Sequence, residues 1–200
     1  NYLLRIKAEL DSPSVPYYLK AERTQAVTTF ETKVAGLVAL DAQAFYRDAG
    51  SGIVNSGKLP PQINQATEYT IHWVIRNYAT DIRGVTLRAF LQPGVAWTGV
   101  VKSTSGSMPT YNERTQEVIW NIEKIQATRG VLSEPIQAIF QVRGVPNVTQ
   151  VGSVFPLLGE TTLTATDEFT GLDISIRDLA LDTMLSDDKT VGQGSGIVVP

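Results

Sequence analysis

The chain has 200 residues, 42% of them hydrophobic and 18% charged, with a net charge of −3 and a pI near 5.2. That length buries a core as one large sandwich or two small domains, while the acidic balance argues against nucleic acid, whose phosphates need clustered cations. The absence of cysteine excludes disulfides, thiolate metal sites and cysteine nucleophiles, and no apolar run is long enough to be a membrane span.

Taken in order, the elements are almost all strands separated by turns. In LLRIKAEL (3–10), Leu4, Ile6, Ala8 and Leu10 alternate with Arg5, Lys7 and Glu9, and DSPSVP (11–16) then breaks the run with two prolines. AVTTFETKV (26–34) and LVALDAQAFY (37–46) are rich in β-branched and aromatic residues, as strands prefer. RDAGSGIVNSGKLPPQ (47–62) is a long turn-rich connection in which Pro60 and Pro61 hold the backbone extended. EYTIHWVIRN (68–77) puts Tyr69, Ile71, Trp73 and Ile75 on one face and Glu68, Thr70, His72 and Arg76 on the other, with Val74 alone out of place. His72, the only histidine, is thereby expected on the solvent side of a half-buried strand, and no partner for proton transfer stands near it in sequence.

After the turn NYATDIRG (77–84), GVTLRAFL (84–91) sets Val85, Leu87, Ala89 and Leu91 on one face. QPGV turns the chain into AWTGVV (96–101), and STSGSMPTYNERTQ (103–116) is a loop with a tight turn at 112–115. EVIWNI (117–122) points Val118, Trp120 and Ile122 inward, residues 122–129 form a loop or one short turn, and PIQAIFQVRG (135–144) alternates through Ile136, Ala138, Phe140 and Val142. GETTLTATD (159–167) and LDISIRDLAL (172–181) close the set. Many short strands at regular spacing indicate an all-β sandwich.

An internal echo divides the chain. LTATDEFTGLDISI (163–176) resembles LKAERTQAVTTFETKV (19–34) in position and character, each following a strand and a proline-containing loop. On that basis residues 1–36 are the C-terminal part of a preceding sandwich module and 37–182 a complete one. Residues 183–200, SDDKTVGQGSGIVVP with its flank, are expected to be a flexible Gly-rich tail or linker. GSGIV occurs both there and at 50–54. The chain opens on Asn1 without an initiator Met or an apolar leader, as a piece of a longer, processed protein would.

The stretches 68–99, 111–122, 138–146 and 164–171 together resemble the large Ig-like repeat family of prokaryotic cell-surface proteins, a conserved surface repeat domain of unknown function. The variant, with YRD, GIVNSG and LPPQ ahead of YTIHW, is similar to uncharacterised secreted proteins of candidate-phylum bacteria, and the likeness covers residues 41–178. It departs from the family at Gln92-Pro93-Gly94, where an acidic-Leu-Pro is usual. The resemblance implies an Ig-like antiparallel β-sandwich acting as an extracellular spacer or adhesive module in series on a cell-surface or filament protein. It implies no catalytic residues. Trp73 and Trp120 are expected to fill the gap between sheets, and the Asn77 side-chain oxygen to cap the turn after its strand.

Chemical constellations are few. A serine triad lacks both a Gly-x-Ser-x-Gly elbow and a placed base, and GQGSGIV (192–198) lacks the Gly-Lys-Ser/Thr ending of a phosphate loop. In TDEFTGLD (166–173), Asp167, Glu168 and Asp173 surround a loop with Gly171 and are weak calcium candidates, since the acids do not follow the EF-hand spacing and turn acids are common. The same acids offer a glycosidase no more than solvated carboxylates. A Lys–Asn or Lys–Asp cross-link needs a buried lysine, whereas Lys7 and Lys33 fall among outward alternates. Tyr17, Tyr18, Tyr46 and Tyr78 are scattered, and Asn147-Val148-Thr149 fits the N-glycosylation pattern. The expectation is a non-catalytic structural module without a cofactor. Its partners would be copies of itself or adjacent modules. A second reading has its end loops, best represented by 104–113, bind a surface glycan or protein.

Overall fold

The computed structural model describes residues 2–12, 24–192 and 194–200; the proline loop, Tyr17, Tyr18 and the first part of the 19–34 echo lie outside the described residues. Alternation becomes strand along the chain: β1 (Tyr2–Ser12), β2 (Thr24–Val34), β3 (Val38–Phe45), β4 (Thr67–Asn77), β5 (Ile82–Phe90), β6 (Val95–Ser103) and β7 (Thr110–Asn112). There follow β8 (Glu117–Ile125), β9 (Ile136–Gly144), β10 (Pro156–Leu158), β11 (Thr161–Asp167), β12 (Asp173–Asp178) and β13 (Leu181–Asp182). β8 runs three residues beyond the expected end at Ile122. β7, β10 and β13, two or three residues each, are too short to leave a period in the sequence.

Two antiparallel sheets, ordered β3-β4-β9-β6 and β12-β11-β5-β8-β7, form the sandwich. The order follows the A-B-E-D and G-F-C-C′ arrangement of Ig sandwiches, except that the strand flanking β9, β6, precedes β8 in the chain. Tyr69, Ile71, Trp73 and Ile75 from β4 and Leu87, Trp120 and Leu163 from the facing sheet have no exposed surface. Burying each aliphatic side chain contributes roughly 1.5–3 kcal/mol. Trp73 meets Phe140 edge-on at 5.0 Å and donates its Nε1–H to Thr161 Oγ1 at 3.2 Å, tying β4 to β11. Trp97 stacks on Tyr111 at 5.7 Å, closing the side between edge strands β6 and β7.

The strand directions give the sandwich two poles. One carries residues 77–82, 125–136 and 167–173 and receives the chain from β2; the other carries 45–67, 144–161 and 178–200.

β1 and β2 form a separate ribbon, paired from Tyr2↔Val34 to Ser12↔Thr24. Here the echo fails: β1 pairs directly with β2, whereas their counterparts β9 and β11 lie in opposite sheets. The tail expectation is also corrected. Leu185 and Val198 are 3% and 1% exposed, Val198 N–H donates to Ser153 O, and Val199 N–H donates to Pro61 O, so residues 183–200 close the second pole. Gly196 lies so close to Thr183 O that no Cβ would fit, which ties one of the tail's glycines to close contact rather than flexibility. The two GSGIV strings do different work. Ile53 is buried and Val54 exposed in the first, whereas Val198 is buried in the second.

Candidate functional site

Three places gather polar side chains. The first is the outer face of β4, expected to be wet. Instead residues 46–56 fold over it as a partial third layer, and the expectation for His72 is corrected: it is 8% exposed, with Val74 and Ile139 buried beside it and Ile53 buried in the covering loop. His72 Nε2 stands 2.6 Å from Asp48 Oδ2 and Nδ1 stands 2.6 Å from Gln137 Nε2. With the Gln137 amide donating to Nδ1, Nε2 carries the proton and donates to Asp48. Asn55 is a second anchor: its Nδ2 donates to Thr70 Oγ1 at 2.8 Å, and its Oδ1 accepts from Gln141 Nε2 at 2.9 Å. An Asp–His pair invites a catalytic reading, but both ring nitrogens are engaged, so neither is free to take a proton from a nucleophile. The pair staples the loop. Asp48 lies 24 residues upstream of His72, and no period links a loop residue to a strand residue at that distance.

The second place is the joint between ribbon and sandwich, where the calcium candidates fall. The structure sends the three acids in different directions. Asp167 is fully buried and accepts from Gly36 N at 2.9 Å, Phe169 N at 2.9 Å, Thr170 N at 2.8 Å and the Thr80 hydroxyl. Burial pushes its carboxyl upward, but the bonds from Gly36, Thr80 and Thr170 outweigh it and hold the pKa at about 2. Glu168 Oε2 meets Lys124 Nζ at 2.6 Å, and Asp173 Oδ1 accepts from Thr166 Oγ1 at 3.1 Å. Among the described residues no group of three acidic or imidazole side chains converges as a metal site.

Gly36 passes so close to Thr80 that any side chain would collide with the hydroxyl. Lys33 Nζ donates to Phe169 O at 2.8 Å and lies over the Phe169 ring, and Tyr78 N donates to Leu37 O at 2.9 Å. Residues 33–37 are thus fastened to the pole at several points. Asn77, also here, caps with its nitrogen rather than the expected oxygen. Its Nδ2 faces Thr80 O, Ile125 O and Gln126 O at 2.7, 3.3 and 3.0 Å. No described lysine is buried, as an intramolecular amide cross-link would need.

The third place is the free edge of β3. Its outward amides at alternate positions meet carboxylates from the C-terminal residues. Ala42 N donates to Asp178 Oδ2 at 2.6 Å, Ala44 N faces Asp187, and Tyr46 N and Arg47 N donate to Asp188 Oδ2 at 3.0 and 2.8 Å. Inward acids thus occupy an edge that another strand could otherwise extend. Burial pushes the Asp187 carboxyl up, helped by the charges of Asp41 and Asp178. At Asp188 burial also pushes up, but the amides of Arg47, Thr190 and Tyr46 and the Thr190 hydroxyl win and the carboxyl lies lower than usual.

No protein-family profile and no curated protein matches the chain. Among solved structures it is similar to the major pilin subunit BcpA of Bacillus cereus (12% identity, 78% of this chain and 49% of that one, TM-score 0.43). It is also similar to the full-length major pilin SpaD of Corynebacterium diphtheriae (13%, 72% and 34%, TM-score 0.41). A mu homology domain of Fcho1 from Danio rerio with bound Eps15 peptide matches as well (8%, 80% and 50%, TM-score 0.37). The chain spans about half, or less, of the length of these structures. Likenesses this distant, spread over unrelated proteins, decide neither family nor activity. The fold and sites define an all-β two-sheet sandwich with a two-stranded ribbon joined to one pole through residues 33–37.

Proposed function

We propose that the chain is a non-catalytic structural module of an extracellular bacterial surface or filament protein, serving as stalk, coat or polymer subunit. The joint at Gly36, Thr80 and Asp167 carries this reading. It holds an amphipathic ribbon at one pole, while the last residues of the chain close the other, as suits modules joined end to end. The polar clusters serve the same end: Asp48–His72 fastens a loop and the three aspartates seal an edge. Among the described residues no helix is long and apolar enough to cross a membrane. The adhesin reading has less support. Loop 104–113 is tied down through Ser105 Oγ, which bonds to Ser103 Oγ and Ser107 O, and through Trp120 Nε1, which donates to Ser107 O at 3.1 Å. Tyr46 and Tyr78 stand at opposite poles. Immunogold imaging of the native surface tests the proposal: label repeating along fibres or stalks is expected, and label confined to the cell interior overturns it.

A further inference from the structure

The ribbon presents a face that nothing in the described chain covers. In its register Tyr2, Leu4, Ile6, Ala8 and Leu10 of β1 share one side with Ala26, Thr28, Phe30, Thr32 and Val34 of β2. Tyr2, Leu4, Ile6, Leu10, Phe30 and Val34 are 46–72% exposed. The side carries no charge. Arg5, Lys7, Glu9, Glu31 and Lys33 all lie on the other side, along with Leu3 and Val27. A two-stranded ribbon is marginal in water by itself, and an apolar sheet face is stabilised by a second sheet packed about 10 Å away. Among the described residues, the hydrogen bonds that join the ribbon to the sandwich are those of Lys33, Gly36 and Leu37.

We propose that this face docks on the same face of a second copy of the chain, with the two ribbons antiparallel, giving a four-stranded, two-layer joint between two sandwiches. Three features favour a copy as the occupant. No charge is desolvated on either side. The face also fits itself in size. About the Ile6–Phe30 row as centre, the Leu4–Thr32 row lies over the small Ala8 and Thr28 of the other copy, and the Tyr2–Val34 row over Leu10 and Ala26, with Val34 against the small Ala26. The area suffices: at roughly 100 Å² for each of six large side chains, two copies bury about 1,200 Å², the lower bound of a specific interface. The antiparallel arrangement also sends the two sandwiches to opposite ends of the joint, where they cannot collide. This deepens the structural-module reading, but its test reads the interface alone.

Sedimentation velocity from about 1 to 200 μM tests it, a range spanning the micromolar dissociation constants of marginal interfaces. The expected result is a monomer–dimer equilibrium that F30E and I6K shift to monomer, with the melting of the sandwich unchanged. T29E, which adds the same charge to the opposite side of the ribbon, leaves the dimer intact. The chain has no cysteine, so oxidising a mixture of L4C and A8C chains reports the register, and a heterodimeric disulfide band is expected to exceed both homodimers. A chain monomeric at every concentration overturns the proposal and leaves other polypeptide as the occupant. A dimer indifferent to F30E and I6K, or one abolished equally by T29E, overturns it too. None of these outcomes bears on whether the native protein lines fibres or stalks.

Discussion

The β1–β2 ribbon and the β3–β4 pair obey the same rule and meet different fates. Both are antiparallel pairs in continuous register with one side mostly apolar and uncharged. In β4, Tyr69, Ile71, Trp73 and Ile75 are wholly buried; in the ribbon, Ile6 and Phe30 are 52% and 61% exposed. The alternation of side chains therefore specifies pairing and the face to be buried, but burial itself depends on what lies opposite. For β4 that is β5, β8 and β11 of the same chain. For the ribbon it is something the described chain does not provide.

Truncation puts the largest strain on this contrast. Trp73→Ala removes a side chain packed edge-on against Phe140 and a hydrogen bond to Thr161, and is expected to cost about 3–5 kcal/mol in urea unfolding. Ile6→Ala, measured at concentrations where the chain is monomeric, should leave the sandwich transition within about 0.5 kcal/mol of wild type. Comparable losses would mean that ribbon and sandwich unfold as one unit.

Next in size is Asp167→Ala at the joint. It strips the acceptor from Gly36 N, Phe169 N, Thr170 N and the Thr80 hydroxyl at once, with an expected cost of roughly 2–4 kcal/mol. The pH dependence has a definite sign. The Asp167 pKa is lowered from 3.8 to about 2, so on acidification the unfolded chain binds this proton first. Its stabilisation is complete above about pH 4 and disappears as pH falls through 2. An acid titration of the melting midpoint should show that loss in wild type and not in the variant.

The difference between β4 and the ribbon also marks where sequence reasoning stops. Inward registers at Val85, Leu87, Ala89 and Val118, Trp120, Ile122 were legible because a single strand displays its own period. His72 was not, since its burial comes from residues 46–56 folding back across the sheet, a tertiary event without a local signature. Asp167 stood out as one of three loop acids, but only the approach of Gly36 and Thr80, 131 and 87 residues away in sequence, turns it into a clamp. The tail misled through composition. Its glycines suggested flexibility, whereas Leu185 and Val198 at either side of them are core residues.

His72 supplies a smaller effect. His72→Ala leaves Asp48 and Gln137 without their partner beneath the loop, an expected cost of about 1–3 kcal/mol. The contrast lies in where it shows. Amide exchange should accelerate across residues 46–56, led by Ser51 and Ile53, while the amides pairing β4 with β9 keep their protection. Uniform acceleration would mean that the loop belongs to the same cooperative unit as the sheet beneath it.

The smallest effect tests the sealed edge of β3, where two neighbours in sequence should respond in opposite directions. Asp187 is burdened by burial and by the charges of Asp41 and Asp178, which its contact with the Ala44 amide does not offset, so its pKa is raised. A raised carboxyl pKa means the folded state binds the proton more readily than the unfolded chain, so this group's contribution improves as pH falls toward that pKa. Asp187→Asn removes the charge and keeps an oxygen for Ala44, so at neutral pH it should stabilise by a few tenths of a kcal/mol. Asp188 has the opposite balance: the Tyr46, Arg47 and Thr190 amides and the Thr190 hydroxyl lower its pKa, and its stabilisation is lost on acidification. Asp188→Asn should therefore destabilise, by about 1 kcal/mol. Melting curves of the two single variants at neutral pH would separate an edge closed by paired hydrogen bonds from one merely covered by acidic residues, since simple charge repulsion would make both substitutions stabilising.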